Sequence, residues 1–201
     1  MLERYFQKGV LEAGVDEAGR GCLAGPVVAA AAILDPVKMY DWYEFLDDSK
    51  KLPETLRENL RTLIERDALA WGVAMVMPEE IDRINILNAT FKAMKEAISR
   101  LAPEPEMLLI DGNRFPGYPG IRHECIVKGD GLYLNIAAAS ILAKTHRDAY
   151  MKQLHKEFPQ YAWDRNKAYA TETHVHAIRT YGYTPHHRKS FQLKDLQLTL
   201  F

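Results

Sequence analysis

The sequence predicts an α/β fold in which a mixed β-sheet is flanked by helices and followed by further helices toward the C-terminal end. The chain has 201 residues, which is enough for one sizeable hydrophobic core. Apolar runs of strand length alternate with segments of helical spacing along most of it. A composition of 47% hydrophobic and 26% charged residues is ordinary for a globular protein.

The first third of the chain predicts two strands and one helix. Residues 8–18 and 26–34 have the pattern of strands joined by a short Gly-Pro turn. The second of them is a continuous apolar run, which is typical of a strand covered on both faces. After a polar loop, Pro53 suits the first turn of a helix. Apolar residues follow at helical spacing, at Leu56, Leu60, Leu63 and Ile64.

The rest of the chain continues this alternation. The predicted elements are a strand at 71–77, a helix at 87–101, strands at 107–110 and 121–127, and a helix at 135–157. Pro103 and Pro105 separate the first of these helices from the strand that follows. Beyond residue 158 we expect two more helices, at 172–181 and at about 190–196.

Charge is distributed unevenly, although the formal net charge is only −1. Residues 142–195 carry ten Lys or Arg and five Asp or Glu, so the rest of the chain is acidic. An acidic part beside a basic part fits a metal-holding core with a nucleic-acid-binding end. Uneven surface charge without such a role is the alternative.

The cellular compartment is indicated by the lack of a membrane span, a signal peptide and a disulfide framework in the sequence. It contains no run of 18 apolar residues and therefore predicts no membrane span. Its first residues do not have the layout of a signal peptide. Two cysteines, Cys22 and Cys125, do not make a disulfide framework and are expected to be buried thiols. These features favour a cytoplasmic protein.

Two adjacent carboxylates end the first apolar run, in the stretch Asp16-Glu17-Ala18-Gly19-Arg20-Gly21. Carboxylates are hard oxygen ligands suited to Mg²⁺ or Mn²⁺. Glycine lets the backbone approach a ligand closely, and arginine pairs with phosphate. Together these residue types suggest phosphodiester chemistry, whereas a turn with solvated charges is the alternative for this stretch alone.

Two further carboxylates are candidates for the same site. Asp111 ends a predicted buried strand, where a simple Asp-Gly turn is the alternative. Asp148 lies on the long helix one turn after Lys144, where a surface ion pair is the alternative. Because the chain holds 27 Asp and Glu, their number alone decides nothing.

Eight short blocks occur along the chain. They are Asp16 to Gly21, Asp48-Ser49-Lys50-Lys51-Leu52, Leu109-Ile110-Asp111-Gly112-Asn113, Lys128-Gly129-Asp130, Ala137-Ala138-Ala139-Ser140-Ile141-Leu142-Ala143-Lys144, Arg147-Asp148, Asn166-Lys167 and His187-Arg188-Lys189-Ser190-Phe191. In residue types and order, they closely resemble the bacterial ribonuclease HII family, the type 2 ribonucleases H. The resemblance spans about residues 10–191.

The resemblance implies a ribonuclease H-like fold with a helical C-terminal extension. The expected organisation is a catalytic core at 1–157, an extension packed on it at 158–196, and a tail at 197–201. The resemblance also implies an endoribonuclease that cleaves RNA in RNA–DNA hybrids and at single ribonucleotides in duplex DNA, leaving 5′-phosphate and 3′-hydroxyl. A role in removing ribonucleotides during replication and repair follows from it.

Catalytic and metal-binding roles are implied for Asp16, Glu17, Asp111 and Asp148, with Mg²⁺ or Mn²⁺ as cofactor. Two metal ions about 4 Å apart can activate a water and stabilise the leaving oxygen. Neighbouring residues on a regular strand point to opposite faces. Asp16 and Glu17 can therefore share a site only if the strand ends or bulges there, which Ala18-Gly19 permits.

Substrate contacts are implied for the Gly-Arg-Gly motif and for one tyrosine. In the family, the backbone of the motif, here Gly19, Arg20 and Gly21, contacts the 2′-hydroxyl that separates RNA from DNA. Tyr169 would stack on the deoxyribose that follows the ribonucleotide. The family usually has Gly before this tyrosine, whereas this chain has Ala168, which costs about 1 kcal/mol if the backbone needs a positive φ.

Basic residues in the matching blocks are candidate phosphate contacts. They are Lys50, Lys51, Lys144, Arg147, Lys167 and Arg188. The histidine pairs at 174–176 and 186–187 lack Cys or acidic partners at a familiar spacing, which disfavours zinc. Two other functions stay open from the residues: a nuclease for branched DNA within the same fold, and a non-catalytic hybrid-binding protein.

The last five residues, Gln197-Leu198-Thr199-Leu200-Phe201, are similar to the Gln-Leu-x-Leu-Phe motif by which bacterial replication and repair proteins bind the DNA sliding clamp. The glutamine can hydrogen-bond at a pocket rim, and Leu198, Leu200 and Phe201 can fill an apolar groove. Packing of these residues on the last helix is the alternative.

Overall fold

The computed structural model describes residues 2–191 and centres on a five-stranded mixed sheet. Its strands are β1 (Glu12–Ala18), β2 (Val27–Ile33), β3 (Ala70–Val76), β4 (Met107–Asp111) and β5 (Arg122–Ile126). In space they lie in the order β3-β2-β1-β4-β5. Neighbours among β1, β2 and β3 are antiparallel, whereas β4 is parallel to both β1 and β5. The predicted mixed sheet is confirmed.

Helices cover both faces of the sheet. In the described chain they are α1 (Glu54–Asp67), α2 (Pro78–Ile84), α3 (Ile86–Ile98), α4 (Leu134–Glu157), α5 (Trp163–Asn166) and α6 (Glu172–Tyr181). α4 and α1 pack on one face of the sheet, and α3 packs on the other. The short α2 was not predicted, because only Ile81 and Ile84 give its sequence an apolar face.

The long helix α4 lies unusually close to β1. A Cβ built on Gly14 would be 2.1 Å from the backbone carbonyl carbon of Asn135, so only glycine allows this approach. The Asn135 side chain accepts a hydrogen bond from the Leu34 amide at 2.9 Å and donates one to the Glu12 carbonyl at 2.8 Å. These contacts fix the N-terminal end of α4 over the first half of β1.

The first predicted strand, 8–18, was too long. The strand begins at Glu12, and the residues before it form turns. The Glu12 carboxylate accepts hydrogen bonds from the amides of Phe6 and Gln7, and Gly9 has a φ of 83°. A buried carboxylate that binds turn amides therefore ends the extended backbone on its N-terminal side.

The segment after α4 packs on the core through its own apolar cluster. Tyr161, Trp163 and Ile178 contact Cys22 and other residues of the loop after β1. Backbone hydrogen bonds join the two segments, from Arg188 to Leu23 and from Gly25 to His186, each 2.8 Å long. The predicted helix at 190–196 lies outside the described residues except for 190 and 191, which are not helical.

Two further sequence predictions concern the thiols and the membrane. Cys22 is buried, whereas Cys125 is only half-buried, and both thiols are free. Among residues 2–191, no helix is long and apolar enough to cross a membrane.

Candidate active site

An open notch lies in the middle of the sheet, where the pairing between β1 and β4 ends. The parallel pairing of β1 with β4 ends at Val15 and Ile110, whereas β1 continues to pair with β2 as far as Ala18. The pairing with β2 through Asp16 and Glu17 is one-to-one and continues to Ala18, so β1 neither ends nor bulges at these two residues, contrary to the expectation from the sequence. Because β1 has lost its β4 neighbour at this point, side chains from both faces can reach the notch.

Three aspartates meet at this notch. Asp16, Asp111 and Asp130 each place a carboxylate oxygen within 4.8 Å of the others. Asp111 ends β4, and its carboxylate accepts a 2.7 Å hydrogen bond from the Gly129 amide, which fixes the turn that carries Asp130. This cluster of hard oxygen donors fits a divalent cation such as Mg²⁺ or Mn²⁺.

Burial and mutual repulsion make the cluster a site for positive charge. Burial first, and then the charges of Glu17 and Asp111, raise the pKa of Asp16 well above its ordinary value. Burial and the charges of Asp111 and Asp48 raise the pKa of Asp130. A bound cation would relieve both the desolvation and the repulsion.

Asp130 was not among the predicted site residues. It belongs to the Lys128-Gly129-Asp130 block, one of the eight blocks that carry the family resemblance. Its proximity depends on a tight turn with Lys128 at a φ of 59° and on the Asp111–Gly129 hydrogen bond. An acidic residue inside a block that matches the family is the sequence feature that could have identified Asp130.

Glu17 stands beside the three aspartates on the α3 side of the sheet. Burial raises the pKa of Glu17, and the Arg20 guanidinium 3.0 Å away opposes that rise. Glu17 shares one cavity with Asp16 and a second, smaller one with Asp111. It is therefore placed to act at the notch, although it is not one of the three clustered oxygens.

Asp148 lies one helical turn beyond Lys144 on α4, as predicted. Lys144 Nζ and Asp148 Oδ1 are 2.8 Å apart, and both side chains are largely buried. Lys144 and Asp148 therefore form an ion pair, but the pair is buried and does not lie on the surface. Asp148 is outside the group of three clustered oxygens and is joined to the cleft by Lys144, which lines it.

A cleft of about 450 Å³ opens on the α4 side of the notch. It brings together the predicted residues Asp16, Glu17, Gly19, Arg20, Gly21, Lys50, Lys144 and Tyr169. Sequence reasoning missed Ser49, Arg57 and Ser140 in its lining. The Ser49 and Ser140 hydroxyls are 2.9 Å apart, and Arg57 donates to the Ser49 and Leu52 carbonyls. These contacts hold the loop of Lys50 against α4.

Arg147 is not a surface cation, and its predicted phosphate contact is corrected. It is 1% exposed and donates to the carbonyls of Pro26 at 3.0 Å, Ala24 at 3.1 Å and Lys167 at 2.9 Å. Arg188 is likewise fully buried and donates to the carbonyls of Gly25 and Arg20. A guanidinium that is buried among main-chain carbonyls is not exposed to a phosphate.

The loop before Tyr169 adopts the positive-φ backbone that is costly for alanine. Ala168 has a φ of 65° and Lys167 a φ of 48°. The Asn166 side chain accepts a 2.8 Å hydrogen bond from the Ala168 amide, and His174 Nδ1 lies 3.0 Å from the Tyr169 carbonyl. These bonds stabilise a left-handed turn that leaves Tyr169 43% exposed at the cleft.

The predicted partner-binding residues Gln197, Leu198, Leu200 and Phe201 lie outside the described residues.

Comparison with known proteins points to one family. The family model described as Ribonuclease HII matches residues 13–194. The chain is similar to Ribonuclease HII of Parabacteroides distasonis, with 59% identity over all of this chain and 99% of that protein. It is also 59% identical to Ribonuclease HII of Cytophaga hutchinsonii, over 100% of this chain and 98% of that one.

Solved structures resemble the fold over nearly its whole length. Ribonuclease H2 from Pyrococcus horikoshii matches with a TM-score of 0.75 and 25% identity, over 90% of this chain and 93% of that one. The ribonuclease HII in a PCNA:RNase HII complex from Archaeoglobus fulgidus matches with a TM-score of 0.74 and 27% identity, over 92% and 96% of the two chains. Their fold agrees with the predicted ribonuclease H-like architecture.

Proposed function

The chain belongs to the ribonuclease HII family and is a ribonuclease H endonuclease, and we propose that it also incises duplex DNA at single embedded ribonucleotides. The products would carry 5′-phosphate and 3′-hydroxyl ends. The observation that carries the proposal is the adjacency of the aspartate cluster and the Gly-Arg-Gly cleft. In this proposal, the aspartate cluster hydrolyses the phosphodiester and the adjacent Gly-Arg-Gly cleft distinguishes RNA from DNA.

Asp16, Asp111 and Asp130 are the residues that would hold divalent cations, with Glu17 at the edge of the group. Two such ions, when bound, would activate a water and stabilise the leaving 3′-oxygen. The carboxylates repel each other and are desolvated, so a bound cation would stabilise their charged forms. No histidine lines the cleft among the described residues, which supports a reaction without a histidine base.

The basic side chains of the cleft would orient the scissile phosphate. Lys50 and Lys144 line it, and Lys144 is held in place by Asp148. Burial lowers the pKa of Lys50, but the Asp16 and Asp48 charges outweigh it and leave a net rise, so Lys50 stays protonated. A protonated lysine beside the carboxylates attracts the phosphate and limits the negative charge of the cleft.

Recognition of the 2′-hydroxyl is assigned to the backbone of Gly19, Arg20 and Gly21. The Arg20 carbonyl accepts a 2.9 Å hydrogen bond from buried Arg188, which fixes the orientation of this loop. Tyr169 faces the same cleft and can stack on the sugar that follows the ribonucleotide. A loop held by a buried arginine and an exposed aromatic ring that line one cleft can recognise an RNA-to-DNA step.

The proposal is tested with three labelled substrates at matched concentration, with and without Mg²⁺. They are a DNA duplex containing one ribonucleotide, a continuous RNA–DNA hybrid, and an all-DNA four-way junction. We expect Mg²⁺-dependent cleavage of the first two only. Cleavage of the junction alone would favour the branched-DNA nuclease, and binding without cleavage would favour a hybrid-binding protein.

We also propose that Gln197, Leu198, Leu200 and Phe201 bind a DNA sliding clamp and bring the enzyme to sites of replication and repair. The support is the similarity of this segment to a clamp-binding motif, together with the PCNA complex of the Archaeoglobus fulgidus ribonuclease HII. A short peptide orders few residues on binding, so its affinity would be about micromolar and would act by raising local concentration.

A further inference from the structure

A second groove leads away from the carboxylates on the α3 side of the sheet. It begins as a cavity of about 250 Å³ lined by Glu17, Asp111 and Asn113. It continues into an open groove of about 1020 Å³ between α3 and residues 114–119, which we call the α3 groove. The cavity and the groove share Leu87, Phe91 and Arg114, so they form one path from the notch across this face.

The surface of the α3 groove suits the sugars and bases of a polynucleotide. Phe91, Tyr118, Pro116 and Pro119 line it with flat apolar side chains. Phe91 is supported from below by Phe115, whose ring centroid is 6.2 Å away in an edge-to-face arrangement. Apolar surfaces of this kind can contact the sugars of a nucleic acid, and sugar contacts carry no sequence information.

The charges in the α3 groove favour a polyanion. Lys95 and Arg114 line it and make no ion pair with any residue in the described range 2–191. Lys92 differs, because it binds Glu80 at 2.7 Å and lies 3.7 Å from Glu96, the carboxylate in the lining. Two uncompensated cations therefore remain along the groove for phosphate oxygens.

We propose that the α3 groove binds the sugar–phosphate backbone of the scissile strand on the 5′ side of the cut. This rests on the proposed function. In the proposed function, the cleft on the α4 side of the sheet holds the ribonucleotide and the deoxyribose after it. The 3′ portion of the scissile strand therefore lies on the α4 side. The carboxylates stand between the two cavities. The 5′ portion of the strand leaves past Glu17 and Asp111, and the α3 groove is the continuation of that path.

The test varies the length of duplex on one side of the ribonucleotide. Two substrates share a ten-base-pair 3′ arm and have 5′ arms of two or ten base pairs. We expect the double variant Lys95→Gln, Arg114→Gln to lower kcat/KM on the long-arm substrate about fivefold through KM and to leave the short-arm substrate unchanged. Its slope of log(kcat/KM) against log[salt] should fall by about one for each lost phosphate contact.

Matched variants separate this effect from a general loss of charge. Lys8→Gln removes one charge before β1, at the end of the strand that is remote from the carboxylates, and should not change the dependence on arm length. Arg114→Glu alone, at an exposed position, should reproduce the loss if the double variant is unstable. Thermal unfolding of each variant checks the fold.

Equal losses on both substrates, or no loss on the long arm, would overturn the proposal. A truncation after residue 191 gives a further test. If the truncated protein cleaves the long-arm substrate faster and the double variant has no effect, the proposal is overturned, because the α3 groove would then bind the chain's own C-terminal segment. Failure of the wild-type protein to cleave either substrate would instead contradict the proposed function.

Discussion

Gly19 lies directly against the guanidinium of Arg147. A Cβ built on Gly19 would be 1.9 Å from Arg147 Nε and 2.4 Å from its Cδ. Arg147 cannot retreat easily, because it is buried and donates to three main-chain carbonyls. One of these is the Lys167 carbonyl, so the arginine joins the Gly-Arg-Gly loop to the loop of Tyr169. The Gly-Arg-Gly loop and the loop of Tyr169 are thus held by one buried side chain.

Gly19→Ala should destabilise the protein and disturb the cleft. Gly19 has a φ of 89°, which an alanine adopts at a cost of about 1–2 kcal/mol. Overpacking against Arg147 adds about 1–3 kcal/mol. Urea unfolding gives the sum. Gly21→Ala is the matched control, because a Cβ there meets nothing within 4 Å and Gly21 is not among the residues with positive φ. Equal stability of the two variants would contradict the assigned contact.

The contact between Gly19 and Arg147 could not be predicted from the sequence, although much of the fold could. Patterns of apolar residues predicted the mixed sheet and most of its helices, because burial imposes periods that a sequence displays. Asp111 was expected at the end of a strand, where it lies, whereas Asp16 lies within β1, two residues before its end. Arg147 was taken for a phosphate ligand, because a sequence does not show that an arginine on a long helix faces inward. The place of Asp130 depends on a turn held by Asp111, which no local pattern encodes.

Asp16→Asn should abolish cleavage and raise stability in the absence of divalent cations. The amide removes a charge from the cluster, so the loss of rate should exceed about 100-fold. The pKa of Asp16 is raised in the folded protein, which means that its charged form is disfavoured there at neutral pH. The asparagine removes that cost, and its carbonyl can still accept the hydrogen bond from the Glu17 amide.

The measurement is thermal unfolding at pH 7.5 in EDTA and in Mg²⁺, beside a cleavage assay. The wild-type Tm should rise with Mg²⁺ and the Asp16→Asn Tm should rise less, because the variant binds cations more weakly. Asp41→Asn, at an exposed position outside the cleft, controls for a change of net charge. Full Mg²⁺-dependent activity in a folded Asp16→Asn protein would remove Asp16 from the metal site.

Tyr169→Ala should weaken cleavage at a single ribonucleotide more than cleavage of a continuous hybrid. The ring is 43% exposed in the cleft, so its loss removes little core packing. Loss of one sugar-stacking contact corresponds to about 1–3 kcal/mol, or about a 5- to 150-fold fall in kcat/KM. Tyr5→Ala removes a ring of similar exposure, 38%, outside the cleft and is the control. Small and equal losses on both substrates would mean that Tyr169 only packs.

Ala168→Gly should leave the free energy of unfolding within about 1 kcal/mol of the wild-type value, because opposing effects nearly cancel. Glycine relieves the positive φ of 65°, but it removes a methyl group buried in the C-terminal apolar cluster and adds backbone entropy to the unfolded chain. Cleavage at a single ribonucleotide should be equal or higher. Ala168→Val, which places a β-branched residue at the same φ, should lose both stability and cleavage. An Ala168→Val protein as stable as wild type would contradict the left-handed turn.

Deletion of residues 197–201 should remove binding to the cognate sliding clamp and leave cleavage of a short ribonucleotide-containing duplex nearly unchanged. The aspartate cluster and the cleft are lined by residues between 16 and 169, so the deletion removes none of these residues. The paired substitution Leu200→Ala, Phe201→Ala should reproduce the effect, because these side chains would supply the apolar contact. Thr199→Ala, at the variable position of the motif, is the matched control. Isothermal titration with the purified clamp measures binding. If the deletion lowers Tm by several degrees, or if clamp binding persists without the segment, the result would favour packing of the segment on the protein itself.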